Sequence, residues 1–241
     1  MGKIVAANWK MNLRRDAARA LASSLAGQGR DLWLFPGFTL LETVRQATSG
    51  SSLKLGAQDV SPEVDGAFTG DISAEMLVDA GATMVLVGHS ERRHSHGETS
   101  ALLLRKLHRA LAAGLAPLLC VGETLAQRQA GRAEKVVRDQ LGLVKKLTPA
   151  AREQFCAVAY EPVWAIGTGQ NATAAQAGAM HNLARAEMNT LGMGTVPLLY
   201  GGSVKPDNAG ELLAVAGVDG LLVGGASLEL ESLQTIDDLA G

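Results

Sequence analysis

Cysteine is nearly absent. The two present, Cys120 and Cys156, lie in apolar stretches with no CxxC spacing. That excludes a zinc ribbon or a disulfide scaffold and fits a reducing compartment. Aromatic residues are scarce at 4% while glycines number 28, so tight turns between small-residue elements are expected. No apolar run reaches the roughly 18 residues that span a bilayer, and no membrane partner is expected. The start, Met1-Gly2-Lys3-Ile4-Val5-Ala6-Ala7-Asn8, lacks a signal-peptide layout, so the expected location is cytoplasmic. Neither sign of charge dominates: 22 Lys plus Arg face 24 Asp plus Glu, for a net charge of −2. Broad nucleic-acid binding is therefore not expected. What is present, 47% hydrophobic and 19% charged residues in 241, excludes disorder as the main state. No linker or composition break divides the chain, and 1–241 reads as a single domain.

Short apolar runs alternate with longer helical patterns. The runs are Lys3–Ala7, Asp31–Phe35, Leu53–Ala57, Thr83–Val87, Ala116–Val121, Phe155–Tyr160, Val196–Tyr200 and Gly220–Val223. Helices are predicted near 14–27, 38–48, 73–80, 98–113, 131–147, 172–191, 206–215 and 228–239. Strict alternation implies parallel strands with helical crossovers, and nearly all-apolar strands imply that both faces are covered. Eight such pairs in this length fit an α/β fold of the (β/α)8 barrel type, with an open doubly wound sheet as the alternative.

Polar residues and glycines cluster just after the strands, where parallel α/β proteins build their sites. Asn8 and Lys10 follow the first run, Gly88-His89-Ser90-Glu91-Arg92 the fourth, Gly122-Glu123 the fifth and Glu161 the sixth. Gly201-Gly202-Ser203 and Gly224-Gly225 follow the seventh and eighth. Glu161 ends an apolar strand and precedes Pro162, which biases it towards extended geometry. Such a carboxylate suits a general base, or else pairs with a Lys or Arg. Pro162, Trp164 and Ile166 followed by Gly167 and Gly169 form a hydrophobic tip between stiff and flexible ends, as a water-excluding lid needs. His89 sits where an acid or hydrogen-bond donor is useful, although a satisfied structural histidine fits too. His94 and His96 read as solvated loop residues. Lys10 could aim its ammonium at an anion, with Asn8 orienting it. Glycines after the last two strands let backbone N–H groups approach a phosphate, and a helix after Gly225 would add a favourable dipole.

Other motif matches fail on their physics. Gly167-x-Gly169-x-x-Ala172 has a dinucleotide spacing, but its first glycine does not directly follow a strand. Gly88-His89-Ser90-Glu91-Arg92 resembles a serine-hydrolase elbow, but Arg92 replaces the glycine that relieves crowding there. His89, His94 and His96 lack the carboxylate–histidine helical pair of a zinc site, so no metal is expected. The long loop after the third run carries Gly66-Ala67-Phe68-Thr69-Gly70, where Phe68 either meets a partner chain or packs on its own barrel.

The motifs together resemble the triosephosphate isomerase family over the full length. They are Ala7-Asn8-Trp9-Lys10-Met11-Asn12, Gly88-His89-Ser90-Glu91-Arg92-Arg93, Cys120-Val121-Gly122-Glu123-Thr124-Leu125, Tyr160-Glu161-Pro162-Val163-Trp164-Ala165-Ile166-Gly167-Thr168-Gly169, Tyr200-Gly201-Gly202-Ser203-Val204 and Gly224-Gly225-Ala226-Ser227. The resemblance implies interconversion of dihydroxyacetone phosphate and D-glyceraldehyde 3-phosphate, with triose phosphates as partners and no cofactor. This family is a standard case of acid–base tuning and loop closure. By motif match, Glu161 moves the proton between carbons, and neutral His89 polarises the carbonyl. Lys10 offsets the substrate's negative charge beside Asn8, Glu91 holds Lys10 or catalytic partners in place, and Ser90 contacts Glu161 in the open state. Gly167, Ser203, Gly224 and Gly225 hold the phosphate. Pro162, Val163, Trp164, Ala165, Ile166, Gly167, Thr168, Gly169, Gln170, Asn171 and Ala172 form the lid. Gln58-Asp59, Phe68 and Thr69-Gly70 resemble the interdigitating loop of a homodimer. Three positions depart from the pattern: Leu13 stands where glycine commonly follows Met-Asn, Gln170-Asn171 replace a Lys-Thr type hinge, and His96 replaces an aromatic. An aldolase would need a Schiff-base lysine or a metal, and strands four to eight carry no lysine. A non-catalytic phosphate-binding barrel would have no use for a base beside Lys10 and His89.

Overall fold

The computed structural model describes residues 2–167 and 172–241. Eight parallel strands close on themselves in sequence order. They are β1 (Ile4–Asn8), β2 (Trp33–Phe35), β3 (Lys54–Ala57), β4 (Met84–Val87), β5 (Ala116–Val121), β6 (Ala157–Tyr160), β7 (Leu198–Tyr200) and β8 (Gly220–Val223). The expected barrel is therefore present and the open sheet is excluded. The strands that differ from their predicted runs start one to two residues later, because residues such as Lys3 and Phe155 approach the sheet before pairing in it. Closure is made by β1 on β8, with Ile4 opposite Gly220 and Ala7 opposite Val223. A Cβ on Gly220 would sit 2.2 Å from the Ile4 carbonyl oxygen, so only glycine lets β8 begin against β1.

Side chains alternate between two apolar layers, as the two-residue strand period requires. Ala6, Phe35, Leu86, Leu118, Cys120, Ala159 and Leu222 fill the barrel interior. Val5, Ala7, Leu34, Val85, Leu119, Val158 and Leu221 face outward and pack under the helices. A barrel interior of this size admits few large groups, which accounts for the small residues on β1 and β6.

The helical ring is more broken than the pattern predicts. The segment expected over 131–147 is a helix at Ala133–Leu141 followed by a 3-10 turn at Gly142–Lys146. Further short helices occur at Ser90–Ser95, Leu125–Gln129 and Pro149–Arg152. Their polar sequences hide the 3.6-residue apolar period, and caps define their ends instead. Thr124 and Gln127 form a reciprocal capping box, as Thr173 and Gln176 do at the start of Ala174–Thr190.

One titratable group is sealed behind the β6–β7 face. His181 is fully buried on the 174–190 helix, with Nδ1 3.1 Å from the Gly217 carbonyl and Nε2 unpartnered. Its ring meets Tyr160 edge-on at 5.9 Å. Burial pushes its pKa down to about 4. The unfolded chain binds this proton below about 6.5, while the folded chain refuses it until about 4. Stability from this group is thus complete above the unfolded value and lost as pH falls through that window. The total is roughly 3 kcal/mol. Urea unfolding of wild type and His181→Phe between pH 7 and 4 should show a flatter pH slope in the variant. Parallel slopes would mean that His181 is not the group responsible.

Candidate active site

Five strand ends meet around one cavity of about 470 Å³. Its lining includes Asn8, Lys10, His89, Glu161, Ile166, Gly167, Ser203, Gly224 and Gly225. Residues as far apart as 8 and 225 are neighbours there because parallel strands all deliver their carboxyl ends to one rim.

Glu161 leaves β6 and is 2% exposed. Its backbone N–H donates to Val121 on β5 at 2.7 Å. Gly122 permits this approach, since a Cβ there would lie 1.7 Å from the Glu161 carbonyl oxygen. Oε2 accepts the Ser90 backbone N–H at 2.8 Å. Ser90 thus contacts Glu161 through its main chain. Oε1 lies 3.0 Å from Nε2 of His89 but has no aligned hydrogen-bond donor among the described residues. One carboxylate oxygen is held and the other is left available.

His89 precedes the 90–95 helix, and its Nδ1 accepts the Glu91 N–H at 3.3 Å. That bond assigns the ring proton to Nε2, facing the cavity. Burial draws the His89 pKa down, but the Glu161 charge, their mutual hydrogen-bond proximity and Glu91 outweigh it, and the net direction is up. The upward pull belongs chiefly to Glu161, with Glu91 adding to it, whereas the bond accepted at Nδ1 is that of a neutral ring.

Lys10 takes a left-handed backbone, φ +52. Hydrogen bonds on both sides hold this sparsely populated conformation. Its N–H donates to Asn8 Oδ1 at 3.0 Å, and its carbonyl accepts from Gln58 Nε2 at 2.9 Å. Gln58 also donates to the Phe35 carbonyl at 2.8 Å, so its amide braces Lys10 from within the protomer. Nζ of Lys10 lies 2.6 Å from Glu91 Oε1. Gly224 leaves room for this side chain, because a Cβ there would approach Lys10 Cε to 3.2 Å. Leu13, flagged as a departure, adopts φ +68, so the loop makes a glycine-like turn with a leucine.

The lid segment begins with a 3-10 turn at Val163–Ala165, and Pro162 precedes it. Trp164 Nε1 donates to Glu123 at 2.8 Å, and Val163 N–H donates to the Glu123 carbonyl at 3.1 Å. Glu123 is fully buried and also accepts Tyr160 Oη at 3.1 Å and Arg128 Nη1 at 2.9 Å. Gly167 is at φ +69 and Ala172 is buried. Thr168, Gly169, Gln170 and Asn171 lie outside the described residues. On the other rim, Gly225–Leu228 is a single 3-10 turn, and the longer helix starts only at Leu230. The helix expected near 228–239 is present, but a tight turn, closed by Ser227 N–H and Oγ on the Gly224 carbonyl, separates its N-terminus from Gly225.

Three features escape sequence reasoning. Lys205 and Ser232 line the outer cavity, and neither sits directly at a strand end, where sites were sought. A buried network joins Asp59, Glu98, Lys106 and Arg92, with Lys106 Nζ 2.6 Å from Asp59 and Arg92 2.9 Å from both carboxylates. Burial pushes the Asp59 carboxyl up, against the pull of Lys106. The four are spread over 48 positions with no local motif, so only the fold brings them together. His94 and His96 are exposed, as expected.

Fold and site define a (β/α)8-barrel enzyme in which a carboxylate, an imidazole, an ammonium group and a glycine rim line one cavity. The triosephosphate isomerase family profile matches residues 3–240, and the chain belongs to that family. A triosephosphate isomerase of Xanthomonas oryzae pv. oryzae (strain PXO99A) is 48% identical over 241 residues, covering 97% of this chain and 96% of that protein. One from Stenotrophomonas maltophilia (strain K279a) is 49% identical over 233 residues, covering 94% and 93%.

The Glu123 cluster yields a prediction for the lid's anchored end. Glu123→Gln keeps the shape but strands the Arg128 charge and removes one acceptor. Unfolding free energy should fall by roughly 1–3 kcal/mol, with a red shift in Trp164 emission as its N–H is released. Unchanged stability and emission would show that the buried carboxylate does not anchor the segment.

Proposed function

We propose that this cavity carries out the family's reaction, the interconversion of dihydroxyacetone phosphate and D-glyceraldehyde 3-phosphate through an enediolate. The observation that carries this reading is the convergence of the Glu161 carboxylate, the Nε2 face of His89 and the Lys10 ammonium on one glycine-rimmed hollow.

A C–H proton next to a carbonyl is a weak acid, and a carboxylate is a modest base. The reaction therefore needs preorganised stabilisation of the developing oxyanion. Glu161, held at Oε2 by Ser90, removes the proton from one carbon and returns it to the other. His89 donates from Nε2 to the substrate oxygens and moves protons between them. With substrate oxygen in place of Glu161 at Nε2, the hydrogen bond that helps raise the His89 pKa is removed, while burial favours the neutral ring. Lys10 supplies the compensating charge, oriented by Glu91 and Asn8. Backbone groups at Gly167, Ser203, Gly224 and Gly225 take the phosphate. The lid from Pro162 to Ala172 excludes water, which protects an intermediate that can otherwise lose phosphate. Hydrogen only moves within the substrate, so the chemistry calls for no redox cofactor.

We also read 1–241 as one catalytic domain acting as a homodimer. Val64, Phe68 and Met76 share one surface hollow, and Met11 is 96% exposed. An apolar patch of this kind is what a partner copy would cover. The two free cysteines fit a cytoplasmic location. Among the described residues no helix is long and apolar enough to cross a membrane.

Two experiments test these readings. Glu161→Asp withdraws the base by one methylene, so kcat should fall on the order of 10²-fold or more while inorganic phosphate still binds. Full turnover in that variant would remove Glu161 from the role. Phe68→Asp should shift sedimentation from dimer to monomer at micromolar concentration. A wild-type monomer with full activity at nanomolar concentration would refute the dimer.

A further inference from the structure

Arg93 is the second arginine of Glu91-Arg92-Arg93, and nothing in the mechanism above uses it. Its neighbour Arg92 turns to the carboxylates of Asp59 and Glu98. Arg93 turns the other way. Among the described residues it makes no ion pair within 4 Å. Nε donates to the Gly88 carbonyl at 2.7 Å, and Nη2 donates to the Cys120 carbonyl on β5 at 2.8 Å. Gly88 is the residue before His89, at φ +73, and a Cβ there would meet Arg93 Nη2 at 2.8 Å. The missing side chain at position 88 makes the space that the guanidinium fills.

A cation committed to two neutral carbonyls is a costly way to tie a loop, because a neutral amide could do as much without desolvating a charge. Burial draws the Arg93 guanidinium below its usual range, and Cys120, Glu161 and Glu98 beside it offset that pull only in part. The geometry of its two carbonyl bonds is what sets it apart. Glu161 in turn faces His89 and Arg93 from the β4 end, Cys120 from β5, and Lys10 across the cavity. Of the two permanent cations, Lys10 lines the cavity and Arg93 does not.

We propose that Arg93 is a positioning residue for the isomerisation, fixing the Gly88–His89 peptide against β5 so that Nε2 of His89 and the Ser90 N–H both meet Glu161. A two-pronged donor suits this better than lysine, which has a single point of contact. The inference rests on the isomerase reading of the site.

The test compares Arg93→Gln and Arg93→Lys in the full chain. The readouts are kcat, KM, the Kd of inorganic phosphate, and the ¹⁵N imidazole signals of His89 without ligand. Arg93→Gln should lose kcat on the order of 10²-fold, the scale of an ångström-sized misplacement. KM and phosphate Kd should stay near wild type, and the His89 signal should move. Arg93→Lys should recover about tenfold of the lost kcat, since it keeps the charge and one carbonyl bond. Wild-type kcat in Arg93→Gln would overturn the proposal. So would a parallel loss of phosphate affinity, or a lysine variant no better than glutamine. If Arg93→Gln does not fold, the lysine variant decides: reduced kcat with intact phosphate binding supports the role, and wild-type kcat overturns it. An inactive wild type would sink the isomerase reading, whereas an unmoved His89 signal in the variants would sink this inference alone.

Discussion

The pairing of β1 with β8 is the constraint on which the rest of the molecule depends. Until Ile4 meets Gly220, the sheet has two open edges and its first and last loops are unrelated in space. Once it closes, Lys10 from the first loop crosses Gly224 from the last, and the cavity acquires its two ends together. The closure is steric as much as hydrogen-bonded, because any side chain at position 220 would strike the β1 backbone. The small interior residues of β1 and β6 serve the same geometry from inside the barrel.

Around that frame the protein buries charge selectively. Glu123 is saturated by Tyr160, Trp164 and Arg128, so it acts as a fixed post for the segment that follows β6. Asp59, Glu98, Lys106 and Arg92 pair with one another, although Oε2 of Glu98 has no partner among the described residues. Glu161 differs in its place, because it lines the cavity. There one of its oxygens is held by Ser90, and the other faces a histidine that is not aligned to bond it. A buried carboxylate left partly unsatisfied is unstable in itself, and it persists because rigid neighbours hold it in place. The oxygen without a donor is the one that faces His89.

Most of the site was legible in the chain because it obeys a positional rule. Parallel strands place their exits on one rim, so Asn8, Lys10, His89, Glu161, Ser203 and Gly224 could be nominated from strand ends alone. Lys205 and Ser232 follow no such rule and emerged only with the cavity. Gln58 shows a different limit. Its motif pointed to the loop of a homodimer, and its Nε2 donates within the protomer to the carbonyls of Lys10 and Phe35. Motif position does not reveal the direction in which an amide points.

By itself the sequence determined the alternation of strands and helices and put Asn8, Lys10, His89, Glu161 and the paired glycines just after strands, while it left an open sheet as the alternative to the barrel. These readings depend on periodicity and on local residue type, which are one-dimensional properties. Only the tertiary structure decided which oxygen of Glu161 is free, which nitrogen of His89 faces the cavity, and where the guanidinium of Arg93 goes. Those are matters of direction over a few ångströms between segments dozens of residues apart. Such directions are set by how the closed barrel packs, and no local pattern along the chain encodes them.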